Sequence, residues 1–136
     1  MLKRICVVVF AVSVFASSQV DAHHSTRTVP DWVVREFNEG KRCRRWEGLM
    51  RKHRLPVRAF SYICHRESRG NTFAHNEHDP HSGSYGLWQV NGSWTTVTSQ
   101  VYKTPWGDMT ALYRPSCNAA VAAYLYREEG LAPWGF

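Results

Sequence analysis

The chain has 136 residues and a formal net charge of +6, from 17 Lys and Arg against 11 Asp and Glu. That length supports one domain rather than several. Its four cysteines lack C-x-x-C spacing, which argues against a cysteine zinc site. The positive charge suits an anionic partner such as nucleic acid, a membrane or a wall polymer, without choosing among them.

The opening stretch "MLKRICVVVFAVSVF" sets a short basic start at Lys3 and Arg4 before an apolar run, and "VDA" then supplies small residues. This is the pattern of a secretory signal peptide over residues 1–22, with cleavage expected after Ala22. The run is too short and too poorly flanked to span a bilayer. The expected location is therefore extracellular or periplasmic, with no stable membrane insertion. Cys6 departs with the leader. Cys43, Cys64 and Cys117 stay, enough for one internal disulfide and one free or intermolecular thiol.

Residues 23–42 are polar and read as a loose arm with a short helix near Asp31 to Asn38, ahead of one folded domain over 43–136. In "CRRWEGLMRKHRLP", Trp46, Leu49, Met50 and Leu55 fall on a helical period that Pro56 ends. "PVRAFSYICHRES" starts a second helix at once. Ala59, Phe60, Ile63, Cys64 and Glu67 share its one face, and Gly70 and Asn71 end it. The two segments predict a helical hairpin. From Asn71 to Gly92, Gly, Asn, Asp, Pro and Ser surround the apolar "YGLWQV", which predicts irregular chain with a small β-element. "TTVTSQVYKTPWGDM" fits no single pattern. "PSCNAAVAAYLYREEG" is the clearest helix, with Ser116 as its cap and Gly130 as its stop. Ala119 to Leu125 is apolar on all sides, hence central and buried. The predicted class is α+β, mostly α.

Glu67 is the first chemical candidate. It ends an apolar stripe, and desolvation there penalises the anion, so a raised pKa is expected. A carboxyl protonated near neutral pH is what donates a proton to a glycosidic oxygen. The plainer alternative is an ordinary Glu at a helix end, paired with His65, Arg66 or Arg69.

The motif "ESRGN" followed by "GSYGLWQVNGSW" resembles the lysozyme superfamily, in which a Glu closing a buried helix precedes an Asn-rich loop and a strand turning toward a sugar cleft. The resemblance runs over residues 43–136. "CRRWEGLMRKHRLP" is similar to the first helix of c-type lysozymes, whereas "GLAPWGF" looks more like lytic transglycosylases. It implies a lysozyme-like fold with a small β-lobe and a sugar-binding cleft, a lysozyme-like catalytic domain over 43–136, and secreted glycosidase activity on β-1,4 bonds of peptidoglycan or a related amino-sugar polymer. No cofactor and no metal are implied, and a monomer is expected.

The sequence also departs from the c-type pattern. The strand reads Ser84-Tyr85-Gly86, with serine where c-type enzymes carry the second carboxylate of the acid–nucleophile pair for which lysozyme is the type case. Three readings follow. Glu67 alone serves as acid and then base, with the sugar's own 6-hydroxyl or a water attacking, as in lytic transglycosylases and goose-type enzymes. Or Asp79, in the turn sequence "NEHDPHSG", substitutes for the missing carboxylate. Or the protein only binds, as a cationic lectin or antimicrobial protein.

Ser84, Tyr85, Gln89 and Asn91 are the residues expected to orient the sugar or a water, and Trp94 to stack on a sugar face. Trp88 is equally a core residue. Tyr124 or Tyr126 can approach Glu67 or serve the core. His75, His78 and His81, with Glu77 and Asp79, resemble a metal cluster, but Pro80 breaks any helix that would align them, so solvated loop histidines are the better reading. The basic residues of 41–58 read as a solvated face that attracts wall polymer. No aromatic-and-basic nucleic-acid motif is present. For the disulfide, Cys43 can reach Cys64 across the hairpin, or Cys64 can bond Cys117; the second is favoured because it would link the two most buried helices.

Overall fold

The computed structural model describes residues 28–136, so the expected leader, its cleavage point and Cys6 lie outside the described residues. Proline marks the start of three helices. Pro30 precedes α1 (Asp31–Asn38), Pro56 precedes α3 (Val57–Ser68), and Pro115 opens α5 (Pro115–Glu129). The fixed φ of proline suits a first turn, and its missing N–H is harmless there. Between α1 and α3 a 3-10 turn, Arg44–Trp46, leads into α2 (Glu47–Lys52). Strands β1 (His75–Asn76), β2 (Ser84–Tyr85) and β3 (Val90–Asn91) form an antiparallel sheet in chain order. Then come the 3-10 turn Gly92–Trp94 and α4 (Thr95–Tyr102). The ambiguous "TTVTSQVYKTPWGDM" is thus helical only in its first half. The class is α+β and mostly helical, as expected.

The i, i+4 pair Val33 and Phe37 is buried, and α1 docks on α3. Trp32 meets the edge of Tyr62 and stacks on Phe136, each with ring centroids 5.6 Å apart. The helix foreseen near Asp31 to Asn38 is therefore part of the packed body rather than a passenger in a loose arm.

The core centres on Phe60. Its ring meets the edges of Tyr126 at 5.5 Å and Trp134 at 4.8 Å, and Trp88 at 6.3 Å. Trp88 is fully buried and donates its indole N–H to the Phe60 carbonyl at 2.9 Å, and Trp134 donates to the Trp88 carbonyl at 2.9 Å. Buried indoles that find acceptors keep their large apolar area without an unsatisfied donor. Trp88 is settled as core, and Tyr126 packs on the same Phe60 ring.

Two expected helix ends shift. Ser116 is exposed inside the first turn of α5, while Arg114 holds the cap position without a side-chain cap bond. Pro115 takes the first helical position, so the boundary moves two residues earlier than a serine cap requires. At the end of α3 the chain already turns left-handed at Arg69 (φ 55°), before Gly70 (φ 81°).

The favoured Cys64–Cys117 pairing is overturned. The disulfide joins Cys43 to Cys64, with Cα atoms 6.0 Å apart, and Cys117 is free and buried. The cause is local: the Cys43 N–H bonds to both the carbonyl (3.2 Å) and the hydroxyl (2.9 Å) of Ser61, one turn from Cys64 on the same helix. Cys117 lies instead beside Tyr102. There burial first, and then the neighbouring thiol, push the phenol well above its ordinary range.

The same corner holds a partly buried ion pair. Arg42 donates two bonds of 2.8 Å to Glu47, and the Ser61 hydroxyl adds a third at 3.1 Å. Burial works against the Glu47 carboxylate. The bonds from Arg42 and Ser61, and then the charges of Arg42 and Arg51, outweigh it and hold the carboxyl below its ordinary value of 4.5. A carboxyl lower in the folded than in the unfolded state stabilises above the unfolded value, and that contribution is lost as pH falls through the folded one. The unfolding midpoint is therefore expected to drop as pH is lowered below 4.5. Glu47→Gln should lower neutral-pH stability by about 2 kcal/mol and flatten this acid limb, as read by thermal melts across pH.

Candidate functional site

The end of α3 and the β-lobe enclose a groove of about 340 Å³, lined by Arg66, Glu67, Asp79, Ser84, Gln89, Asn91, Pro133 and Trp134. Glu67 is the second-last residue of α3, and the residue after it fixes its place. The buried Ser68 hydroxyl is shared between the carbonyls of Leu87 (2.9 Å) and Cys64 (3.1 Å) and accepts the Gly70 N–H at 3.1 Å. It bolts the helix end to the chain that leads into β3.

Glu67 does not sit in an apolar enclosure. Its side chain is 26% exposed, and Oε1 takes bonds from Arg66 Nε at 2.8 Å and Nη2 at 2.6 Å. The apolar stripe of α3 reaches Cys64 and stops, because the last turn rises out of the core toward the groove. Arg66 also donates to the Trp134 carbonyl at 2.6 Å and lies over the Phe136 ring at 4.7 Å. The guanidinium is thus tethered to the C-terminal segment independently of Glu67.

The β-lobe supplies the facing wall. Ser84 pairs with Asn91 across β2 and β3, so both side chains stand on one face. Asn91 Nδ2 donates to the Pro80 carbonyl at 2.9 Å, with Gly83 O at 3.2 Å and Ser84 Oγ at 3.3 Å also in reach. Gly92 finishes this wall. A Cβ there would lie 1.7 Å from the His81 carbonyl, so only glycine lets the 80–83 turn close on the strand. Gln89 turns left-handed (φ 47°), and its amide nitrogen bonds the carbonyls of Ala74 (3.1 Å) and Gly86 (3.0 Å). Asp79 comes from the intervening loop and accepts from Asn76 Nδ2 at 2.8 Å.

The structure therefore gathers Glu67, Asp79, Ser84, Gln89 and Asn91 around one groove. It leaves out two residues expected there. Tyr85 alternates with Ser84 and so faces the other side. Its ring stacks on His75 at 4.4 Å and meets Tyr113, and its hydroxyl donates to the Ser82 carbonyl. Trp94 is half-buried against the core, because the strand ends at Asn91 and a 3-10 turn carries the chain away. Tyr124 and Tyr126 do not line the groove either. Sequence reasoning passed over Arg66 and Trp134 as groove residues and Ser68 as the bolt. Their signals were present, in the "RES" triplet around Glu67 and in the aromatic "PWGF" ending.

His75, His78 and His81 are all exposed. Among the described residues, no three His, Cys, Asp or Glu side chains gather as a metal-ligand group. None of the described helices is long and apolar enough to cross a membrane.

A helix-end Glu, a Ser–Asn strand pair and an aromatic C-terminal wall around one groove invite comparison with known proteins. Residues 60–135 match the lysozyme-like domain family, more than half of the chain. The chain belongs to that family. No curated protein matches it, and neither does any solved structure. The lysozyme-like domain is a peptidoglycan-related family of glycosidases and lytic transglycosylases. The matched span contains all eight groove residues and begins inside α3. Helix α1, Cys43 and the Glu47 ion pair lie before it.

Proposed function

We propose that this lysozyme-like domain cleaves the β-1,4 bond of peptidoglycan outside the cytoplasm, with Glu67 as its single essential acid and base. The observation that carries the reading is Glu67 at the edge of a polar groove whose opposite wall is Ser84 and Asn91. In the first step the Glu67 carboxyl gives its proton to the glycosidic oxygen as the C–O bond breaks. The resulting carboxylate then takes a proton from the attacking group. If that group is the sugar's 6-hydroxyl, an anhydro end forms; if it is water, a reducing end forms. The Arg66 contact must open for proton transfer, and the guanidinium keeps a partner in the Trp134 carbonyl when it does. A sugar filling the groove displaces water and brings its glycosidic oxygen to the carboxyl. Ser84 and the free oxygen of the Gln89 amide are the groups offered to sugar hydroxyls and N-acetyl groups. Asn91 acts mainly by holding the 80–83 turn.

The place of Asp79 in the same groove favours a second reading, in which it activates or orients a water. Mass analysis of released fragments separates the two. Anhydro ends, with Asp79→Asn lowering kcat by less than about threefold, support Glu67 acting alone. Reducing ends, with a loss of about 100-fold in Asp79→Asn, assign the water to Asp79.

A further inference from the structure

Arg66 also lines a smaller cavity of about 220 Å³, together with Glu36, Lys41, Tyr62, His65 and Arg69. Of its three permanent cations, Lys41 is paired with Glu36 and Arg66 with Glu67, which leaves Arg69 with no carboxylate partner among the described residues. The Arg69 guanidinium lies 2.5 Å from Nε2 of His65, a ring nitrogen rather than a counter-charge. Burial first, and then the charges of Arg69 and Lys41, hold the His65 imidazole below its usual range, so the ring can stay neutral and accept from Arg69. Arg69 stands in a left-handed conformation that glycine would adopt without strain. Glu36 and Lys41 precede the matched span and the other four lining residues lie within it, and Arg66 is shared with the groove.

We propose that this basic cavity binds a carboxylate on a short peptide attached to the sugar beside the cleaved bond, so that the protein prefers acidic, peptide-bearing wall glycan to neutral chitin. The inference rests on the glycan-cleaving reading of the Glu67 groove. A sugar strand in the groove brings its substituents past Arg66 toward Arg69, whose guanidinium suits a carboxylate. A neutral polymer offers nothing for that charge.

The test is calorimetric binding of N-acetylmuramyl dipeptide, which has no glycosidic bond to cut, and of its fully amidated form, to the full chain. The wild type is expected to bind the acid about fivefold more tightly than the amide. Arg69→Gly should abolish that preference while its Tm holds or rises, since glycine relieves the left-handed strain; Lys41→Gln should reduce it. Affinity for a neutral chitin oligomer should not change in either variant. Equal binding of acid and amide by the wild type, no measurable binding of either, or a preference that survives in Arg69→Gly would overturn the proposal. Failure of the glycan-cleaving reading shows separately, as wild-type protein that releases no fragments from purified wall.

Discussion

Glu67→Gln is expected to lower kcat on purified peptidoglycan by about a thousandfold or more, the scale of a lost general acid. The amide keeps the shape of the side chain, and its oxygen can still accept from Arg66. The groove should therefore hold together, and affinity for a glycan oligomer should stay within about twofold of wild type. The measurement is the release of anhydro or reducing ends, set beside oligomer binding to the same preparation. Wall lysis that continues at the wild-type rate in this variant would show that Glu67 is not the acid, and that the protein acts on walls as a cationic binder.

The second large effect is expected on stability, at a residue that touches no substrate. Asn118→Leu should cost about 3–5 kcal/mol and lower Tm by more than about 10 °C. Asn118 is fully buried on α5. Its oxygen accepts the Trp88 N–H at 3.1 Å, and its nitrogen donates to the carbonyls of Tyr85 (2.8 Å) and Leu112 (3.0 Å). Leucine is close in volume but removes a bond from three backbone groups, two of the bonds fully buried. Gly86 shows how tightly this joint is closed. It sits at φ 72°, and a Cβ there would meet both the Asn118 nitrogen and the Leu112 carbonyl at 2.4 Å. Since Asn118 clasps both β2 and the turn before β3, the residual folded variant should also show weaker glycan binding. Calorimetry and oligomer titration check the two effects.

Asn118 also illustrates what the sequence made legible and what it hid. Helices with a buried stripe were readable because periodicity is local: α3 through Ala59, Phe60 and Ile63, and α5 through its run of alanines. A lone Asn beside that run was a signal, but its three acceptors and donors come from 6 to 33 residues away. Ser84, Gln89 and Asn91 line the groove together, and a short motif carries all three. Tyr85 and Trp94 fall outside its lining, because two-residue strands change face and direction faster than a motif reveals. The enclosure expected around Glu67 failed for a related reason, since burial fades over the last turn of a helix. The disulfide depended on where Cys43 is held in space, which the Ser61 bonds decide.

That disulfide has a consequence for how the protein tolerates stress. Cys43, Ser61 and Glu47 belong to one connected set of bonds, so reductant and acid loosen the same corner of the molecule. Contributions that share partners are not independent. Thiol reduction should therefore make the chain more sensitive to acidity, and an acidic medium should expose the bridge to reductant. The two tolerances would rise and fall together, and a variant selected for one would carry the other with it.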